Sequence, residues 1–313
     1  MKTPTLRSLA VLAFGILASP ALAGAFTDLA AEYRHVMARG QVSHVVDIDN
    51  DTLLLNREDG FYSSGMRYSY VSTLRESGKR TTFGWRIGHE MYTPSDIKLP
   101  AALVAPPDHP YAAWLYGGFF RDERRMDGSG MRWGVDFGCI GPCAGGEWVQ
   151  TEFHRVLDQP LPRGWSKQVR NEPGIVLYAD YSPFKWSPLK ALDVTPGVSA
   201  RLGNIFTDIG ANVMIRAGQV NDMPGESTLH GFLRADMRAV GHNATLEGGY
   251  FSDNNPHVVE PRRWVGEAEA GVAWRRGRFG VQAGLVRRSN EIRGLPNSVG
   301  AQNFLRLQFS YTP

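Results

Sequence analysis

Beyond its first two dozen residues the chain has no apolar run approaching the roughly 20 residues that a membrane-crossing helix needs. Cysteine is scarce. Cys139 and Cys143, in Cys-Ile-Gly-Pro-Cys, lack the further soft ligands a zinc site would require, and in an oxidising compartment they suit a local disulfide that pins a loop. Neither sign of charge dominates: 34 Lys and Arg stand against 31 Asp and Glu, a formal +3. These charges are scattered and give no basis for a nucleic-acid partner; in an exported protein a basic balance better suits anionic lipid head groups or lipopolysaccharide phosphates. Familiar hydrolase signatures are missing as well. There is no Gly-x-Ser-x-Gly elbow, and His89-Glu90 is not followed by the second histidine of a zinc-protease helix.

What is present begins with export. Lys2 and Arg7 flank the start of an apolar run, Leu9 to Leu17, and Ala21-Leu22-Ala23 is a small-x-small cleavage site before Gly24. Residues 1–23 therefore read as a cleaved signal peptide and 24–313 as one working domain without internal repeats. An exported chain with no spanning helix is periplasmic, secreted or a barrel. The 35 Gly, 8 Trp and 11 Tyr, with a negative mean hydropathy, fit a wall in which only alternate residues meet lipid. Period two recurs along the chain. Leu305, Leu307, Phe309 and Tyr311 alternate with Arg306, Gln308 and Ser310, and Leu233, Ala235, Met237 and Ala239 alternate with Arg234, Asp236 and Arg238.

A soluble sandwich would show the same alternation. The signal segment, the number of strands and the aromatic strand ends (Tyr68, Tyr70, Trp85, Tyr92, Tyr111, Trp114, Tyr116) favour a barrel. The expectation is an all-β, antiparallel, up-and-down transmembrane barrel in the outer membrane of a Gram-negative cell, acting as a monomer. Thirteen segments read as strands, among them 42–55 and 244–252; since such barrels have an even number, about twelve are expected. The long connections 93–111 and 139–172 fall on the extracellular side. Residues 145–158 switch to helical spacing, with Val149, Phe153, Val156 and Leu157 on one face and Glu147, Thr151, His154 and Asp158 on the other, and Pro160 and Pro162 end the run. Such a helix above a barrel usually plugs or braces the lumen.

The topology brings three polar groups to one rim: Asn50-Asp51, Ser63-Ser64 and His154. Taken singly they are turn chemistry, a strand entry and a solvated histidine; together they are worth weighing. Strict alternation puts Asn50 and Asp51 on opposite faces, so both can bind one ion only where the strand bends or ends.

In these residues the chain resembles the outer-membrane lipid A 3'-O-deacylases. The resemblance spans nearly the whole mature sequence and is carried by Asp49-Asn50-Asp51, Gly60-Phe61-Tyr62-Ser63-Ser64-Gly65, Met91-Tyr92-Thr93-Pro94-Ser95-Asp96, His109-Pro110-Tyr111-Ala112-Ala113-Trp114-Leu115-Tyr116, and Gly141-Pro142 leading through Glu147, Val149-Gln150 and His154 to Gly164-Trp165. It implies a twelve-stranded barrel and calcium-dependent hydrolysis of an acyl ester on lipid A of lipopolysaccharide in the outer leaflet. The family's Asn-Asp pair falls on Asn50 and Asp51, its hydroxyl residue on Ser63 or Ser64, its histidine on His154. This chain departs from the pattern in a short Asp51-to-Ser63 loop, in Tyr-Ala-Ala-Trp where Tyr-Ala-Gly-Trp is usual, in the two cysteines, and in ending on Pro313.

The chemistry follows separately from the side chains. Without a serine elbow the simplest nucleophile is water, and a neutral histidine, of unperturbed pKa about 6.5, takes its proton: His154. Calcium collects hard oxygens, so Asp51, Asn50 and a hydroxyl such as Ser63 form a candidate metal site, while Asn50 and Ser64 join His154 as catalytic candidates. A calcium-dependent outer-membrane phospholipase and a passive pore or structural barrel are the rival readings.

Overall fold

The computed structural model of the chain describes residues 20–51 and 60–313. The expected signal segment up to residue 19, and residues 52–55 of the first expected strand, lie outside it. A helix, α1 (Pro20–Arg39), precedes the sheet. The strands are β1 (Gln41–Asn50), β2 (Phe61–Glu76), β3 (Lys79–Thr93), β4 (Ala112–Arg125), β5 (Gly130–Ile140), β6 (Glu172–Ser182), β7 (Trp186–Leu189), β8 (Leu192–Gly203), β9 (Phe206–Gln219), β10 (Thr228–Asn243), β11 (Trp264–Arg276), β12 (Phe279–Arg288) and β13 (Gln302–Tyr311). Consecutive strands pair antiparallel, β1 pairs with β13, and β6 pairs with β8, so twelve strands close a barrel and β7 is a short flap on β8.

At one end the turns are tight. Ser77 and Gly78, both at positive φ, join β2 to β3 in the conformation that matches strand twist. The other end carries the long segments 94–111, 141–171 and 244–263. Bacterial barrels keep short turns in the periplasm and long loops outside, which makes the end where β1 finishes the extracellular one.

Alternation decides what each face holds. The lumen is crossed by ion pairs: Arg67 to Asp47 at 2.9 Å, Arg86 to Asp136 at 2.6 Å, Arg288 to Glu267 at 2.8 Å and Arg306 to Glu269 at 2.6 Å. Toward the extracellular end, buried Tyr62, Tyr92, Trp114, Phe206 and Phe304 fill the barrel. The outward face exposes Met66, Ile87, Phe137, Leu233 and Leu285, an apolar band for lipid. Aromatic groups gather on that face near the tight turns, where Trp85 lies 4.9 Å from Phe119 and Phe279 lies 5.3 Å from Tyr311.

Of the expected strands, 244–252 is the one that fails. Ala244 and Leu246 alternate with Thr245 and Glu247 as a strand would, but the Asn243 side chain accepts the Thr245 N–H and Glu247 accepts the Asn243 N–H. The pair caps a single helical turn, α3 (Ala244–Glu247), which Gly248 ends at φ +77. Helix α1 went unassigned in the sequence. Its stripe of Leu29, Tyr33, Val36 and Met37 packs on the outer wall near the tight turns, Tyr33 meeting Phe83 edge-on at 5.4 Å. Glu32 accepts two hydrogen bonds from Arg121, at 2.8 and 2.9 Å, and that guanidinium holds its carboxyl below the usual range. The expected cleavage after Ala23 falls in the first turn of α1.

Ion pairs cross the lumen and aromatic side chains pack its extracellular end, which narrows any path for ions. Planar-bilayer recordings of the purified protein should therefore show no steady single-channel steps; long-lived conductance of porin size would contradict the narrowed lumen.

Candidate active site

The site is assembled across the outer side of the wall. Asn50 pairs with Ser64, Ser64 with Met91, and Met91 with Ala113, so these four side chains form one transverse row. Directly paired side chains project to the same face about 5 Å apart. Their neighbours Asp49, Gly65 and Glu90 point the other way and line a lumen cavity of about 480 Å³. This polar cavity and the candidate site thus lie on opposite sides of one wall.

A bulge between Tyr62 and Ser64 makes Ser63 the extra residue. Its hydroxyl is buried against Thr93 Oγ1 at 2.6 Å, and its carbonyl accepts Asn50 Nδ2 at 3.3 Å, which fixes the direction of the Asn50 amide. Ser64 is half-buried, in register with Asn50. The two serines, interchangeable in the sequence, are unlike here: the Ser63 hydroxyl is committed to Thr93, and that of Ser64 stands in the row. Strand β1 ends at Asn50, which releases Asp51 from the pleat; Asp51 is buried and its Oδ2 accepts the Gly60 N–H at 3.1 Å.

The expected helix forms as α2 (Gly146–Val156). Cys139 and Cys143 are joined in a disulfide, as the sequence suggested, and Gly141 and Gly145 adopt φ of +96 and +71 to turn the chain from β5 onto the outside of the barrel. A Cβ on Gly146 would lie 2.5 Å from Ala113 Cβ and 2.6 Å from the Trp165 ring, so only glycine lets the helix touch the wall here. One turn earlier, His89 Nε2 meets the Ala144 carbonyl at 3.0 Å. The helix therefore braces the outer wall and not the lumen.

Its packed side is polar. Gly146, Gln150 and His154 are buried, whereas Phe153, Val156 and Leu157 of the apolar stripe are exposed with Trp148 and Arg155; Val149 of that stripe packs inward. Trp165, almost wholly buried, donates its indole N–H to Gln150 Oε1 at 2.8 Å. The i, i+4 spacing of Gln150 and His154 was the available signal for this polar pair. His154 Nδ1 lies 2.7 Å from the Pro160 carbonyl. A carbonyl only accepts, so Nδ1 carries the proton and Nε2 is the basic nitrogen. Nothing in the sequence pointed to Pro160 in that role. Glu147 and Asp158 are exposed.

Among the described residues no three His, Cys, Asp or Glu side chains gather as a metal cluster. The described residues of the site offer one buried carboxylate, an amide, hydroxyls and carbonyls, and both sulfurs are in the disulfide. This all-oxygen, low-charge set fits a weakly held hard cation and not zinc.

The sequence matches the family described as outer membrane protein LpxR over residues 9–312. The chain belongs to the LpxR family. LpxR from Salmonella typhimurium is 20% identical, with a TM-score of 0.73 over 87% of this chain and all of that one. More distant barrels include the Neisseria meningitidis NalP translocator domain (TM-score 0.41, 10% identity, 93% of this chain and 97% of that one) and the Bordetella BrkA β-domain (TM-score 0.49, 9% identity, 87% and 98%). No curated protein matches in sequence. Membership of this family, with the barrel fold, places the chain in the outer membrane and identifies the outward face of the wall as its lipid face.

The two serines give a test that needs no substrate. Ser63→Ala strands the Thr93 hydroxyl in a buried pair and should cost about 1–3 kcal/mol in urea unfolding from detergent, while Ser64→Ala should change stability by less than about 0.5 kcal/mol. Equal effects would contradict the assignment.

Proposed function

We propose that this LpxR-family protein is a lipid A deacylase that removes the 3'-O-linked acyl chain in the outer leaflet, with calcium as cofactor and water as nucleophile. In this reading residues 1–23 are removed on export and the chain works as a monomer. The observation that carries it is the His154 Nδ1 contact with the Pro160 carbonyl, which sets the tautomer a general base needs on a helix lying against the lipid side of the wall.

His154 Nε2 takes a proton from water as the water oxygen attacks the ester carbonyl carbon. The imidazolium then returns that proton to the departing sugar oxygen as the carbon–oxygen bond breaks, leaving a free fatty acid and a sugar hydroxyl. Ser64 and Asn50, side by side in the row, hydrogen-bond the attacking water and the oxygen that becomes negative. Asp51, Asn50 and Ser63 would hold the calcium, Ser63 through its carbonyl since its hydroxyl is engaged by Thr93. Bound there, calcium supplies a positive charge that polarises the ester carbonyl. One carboxylate gives weak binding, adequate where such modules work at dissociation constants of roughly 10⁻⁴ to 10⁻³ M.

The narrowed lumen weighs against a pore. A calcium-dependent phospholipase would share this chemistry, and both substrates belong in the assay. Purified enzyme should release fatty acid from lipid A and not from glycerophospholipid, lose that activity in a calcium chelator, and regain it with calcium but not zinc. His154→Gln should lower the rate by about 10²–10⁴ and remove the rise of rate with pH that deprotonation of an imidazole produces, with Asp51→Ala similarly inactive but folded. Full activity in chelator would refute the calcium site, and near-normal turnover of the His154→Gln enzyme would refute the base.

A further inference from the structure

Helix α2 carries large apolar side chains that are left exposed among the described residues. Trp148 is 70% exposed, Phe153 54%, Val156 82% and Leu157 49%, and the Glu152 carboxylate that stands between Trp148 and Val156 is ion-paired with Arg155. The strands beneath the helix show what meets it. On β3 the outward Ile87 is exposed, and His89, next on the same face, is already under the Ala144 carbonyl. On β4 the outward Leu115 is exposed, and Ala113, next on that face, is under Gly146. One residue pair along a strand is about 7 Å, less than the width of a helix. The lipid-facing band therefore ends where α2 begins, and the exposed side of α2 continues it.

We propose that α2 lies at the boundary between acyl chains and head groups of the outer leaflet, with Trp148, Phe153, Val156 and Leu157 in contact with the upper lipid chains, the Glu152–Arg155 pair among the head groups and the Gln150–His154 side turned to the wall. The proposal rests on the membrane placement of the barrel and not on its hydrolytic activity. It accounts for the large apolar side chains that α2 leaves exposed. A helix between an apolar solvent and a polar cleft must turn its apolar side outward, as barrel strands do.

The test is fluorescence of the full-length protein in vesicles of phosphatidylcholine brominated in the upper acyl chain, compared with unbrominated vesicles. The emission lost on Trp148→Phe should be quenched about twofold or more by bromolipid and should be insensitive to aqueous iodide. Adding Val156→Trp to the Trp148→Phe protein should introduce emission with the same response. Quenching by iodide and not by bromolipid would place the helix in water and overturn the proposal. Shielding from both quenchers, with concentration-dependent dimers on cross-linking, would show that a second copy covers the face and overturn it equally.

Discussion

A wall immersed in lipid must keep its outward side apolar, because polar groups there lose their hydrogen bonds to water and gain none. Asn50, Ser64 and His89 break that rule on three neighbouring strands: the segment leading into α2 covers His89, α2 itself meets the wall at Ala113 beside them, and the Asn50 amide is taken up by the Ser63 carbonyl. The disulfide, the two left-handed glycines and the Gly146 approach all serve to set one short helix against that patch. The polar cleft on the outside and the ion-paired lumen on the inside are consequences of the same alternation. Consecutive residues Asp49 and Asn50, or Gly65 and Ser64, serve one and the other.

This division separates two kinds of polar group that look alike in a list. The lumen guanidiniums and carboxylates are numerous, mutually paired and surround a polar cavity, yet pairing leaves them little capacity to act on a ligand. The candidate catalytic groups are fewer and face the compartment that contains lipid. His154 is the clearest case, because a main-chain carbonyl fixes its ring and leaves Nε2 as the base.

Much of this was legible before the fold was known, since period two is the direct imprint of a wall with two different solvents. The strand ending Leu305 to Tyr311 and the helix at 145–158 both emerged close to their expected bounds. The failures have identifiable causes. Residues 244–252 alternate like a strand, but a side-chain cap at Asn243 outweighs alternation over so short a run. Helix α1 was missed because a stripe of only Leu29, Tyr33, Val36 and Met37 is faint beside the export signal that precedes it. The helix at 146–156 has a third side, the buried row of Gly146, Gln150 and His154, which a division into one apolar and one polar face does not isolate. Which of Ser63 and Ser64 is committed to the fold depends on a bulge, and the partner of His154 lies six residues away beyond the helix end; neither has a sequence signature.

The central claim is that this outer-wall cleft removes an ester-linked acyl chain from lipid A. Mass spectrometry of lipid A from Gram-negative cells that lack such an enzyme, with and without expression of this protein, tests it most directly. Expression should produce a lipid A species lighter by one ester-linked 3'-acyl group, with the glycerophospholipids unchanged. Unaltered lipid A despite folded protein in the outer membrane, or an accumulation of lysophospholipid instead, would contradict it.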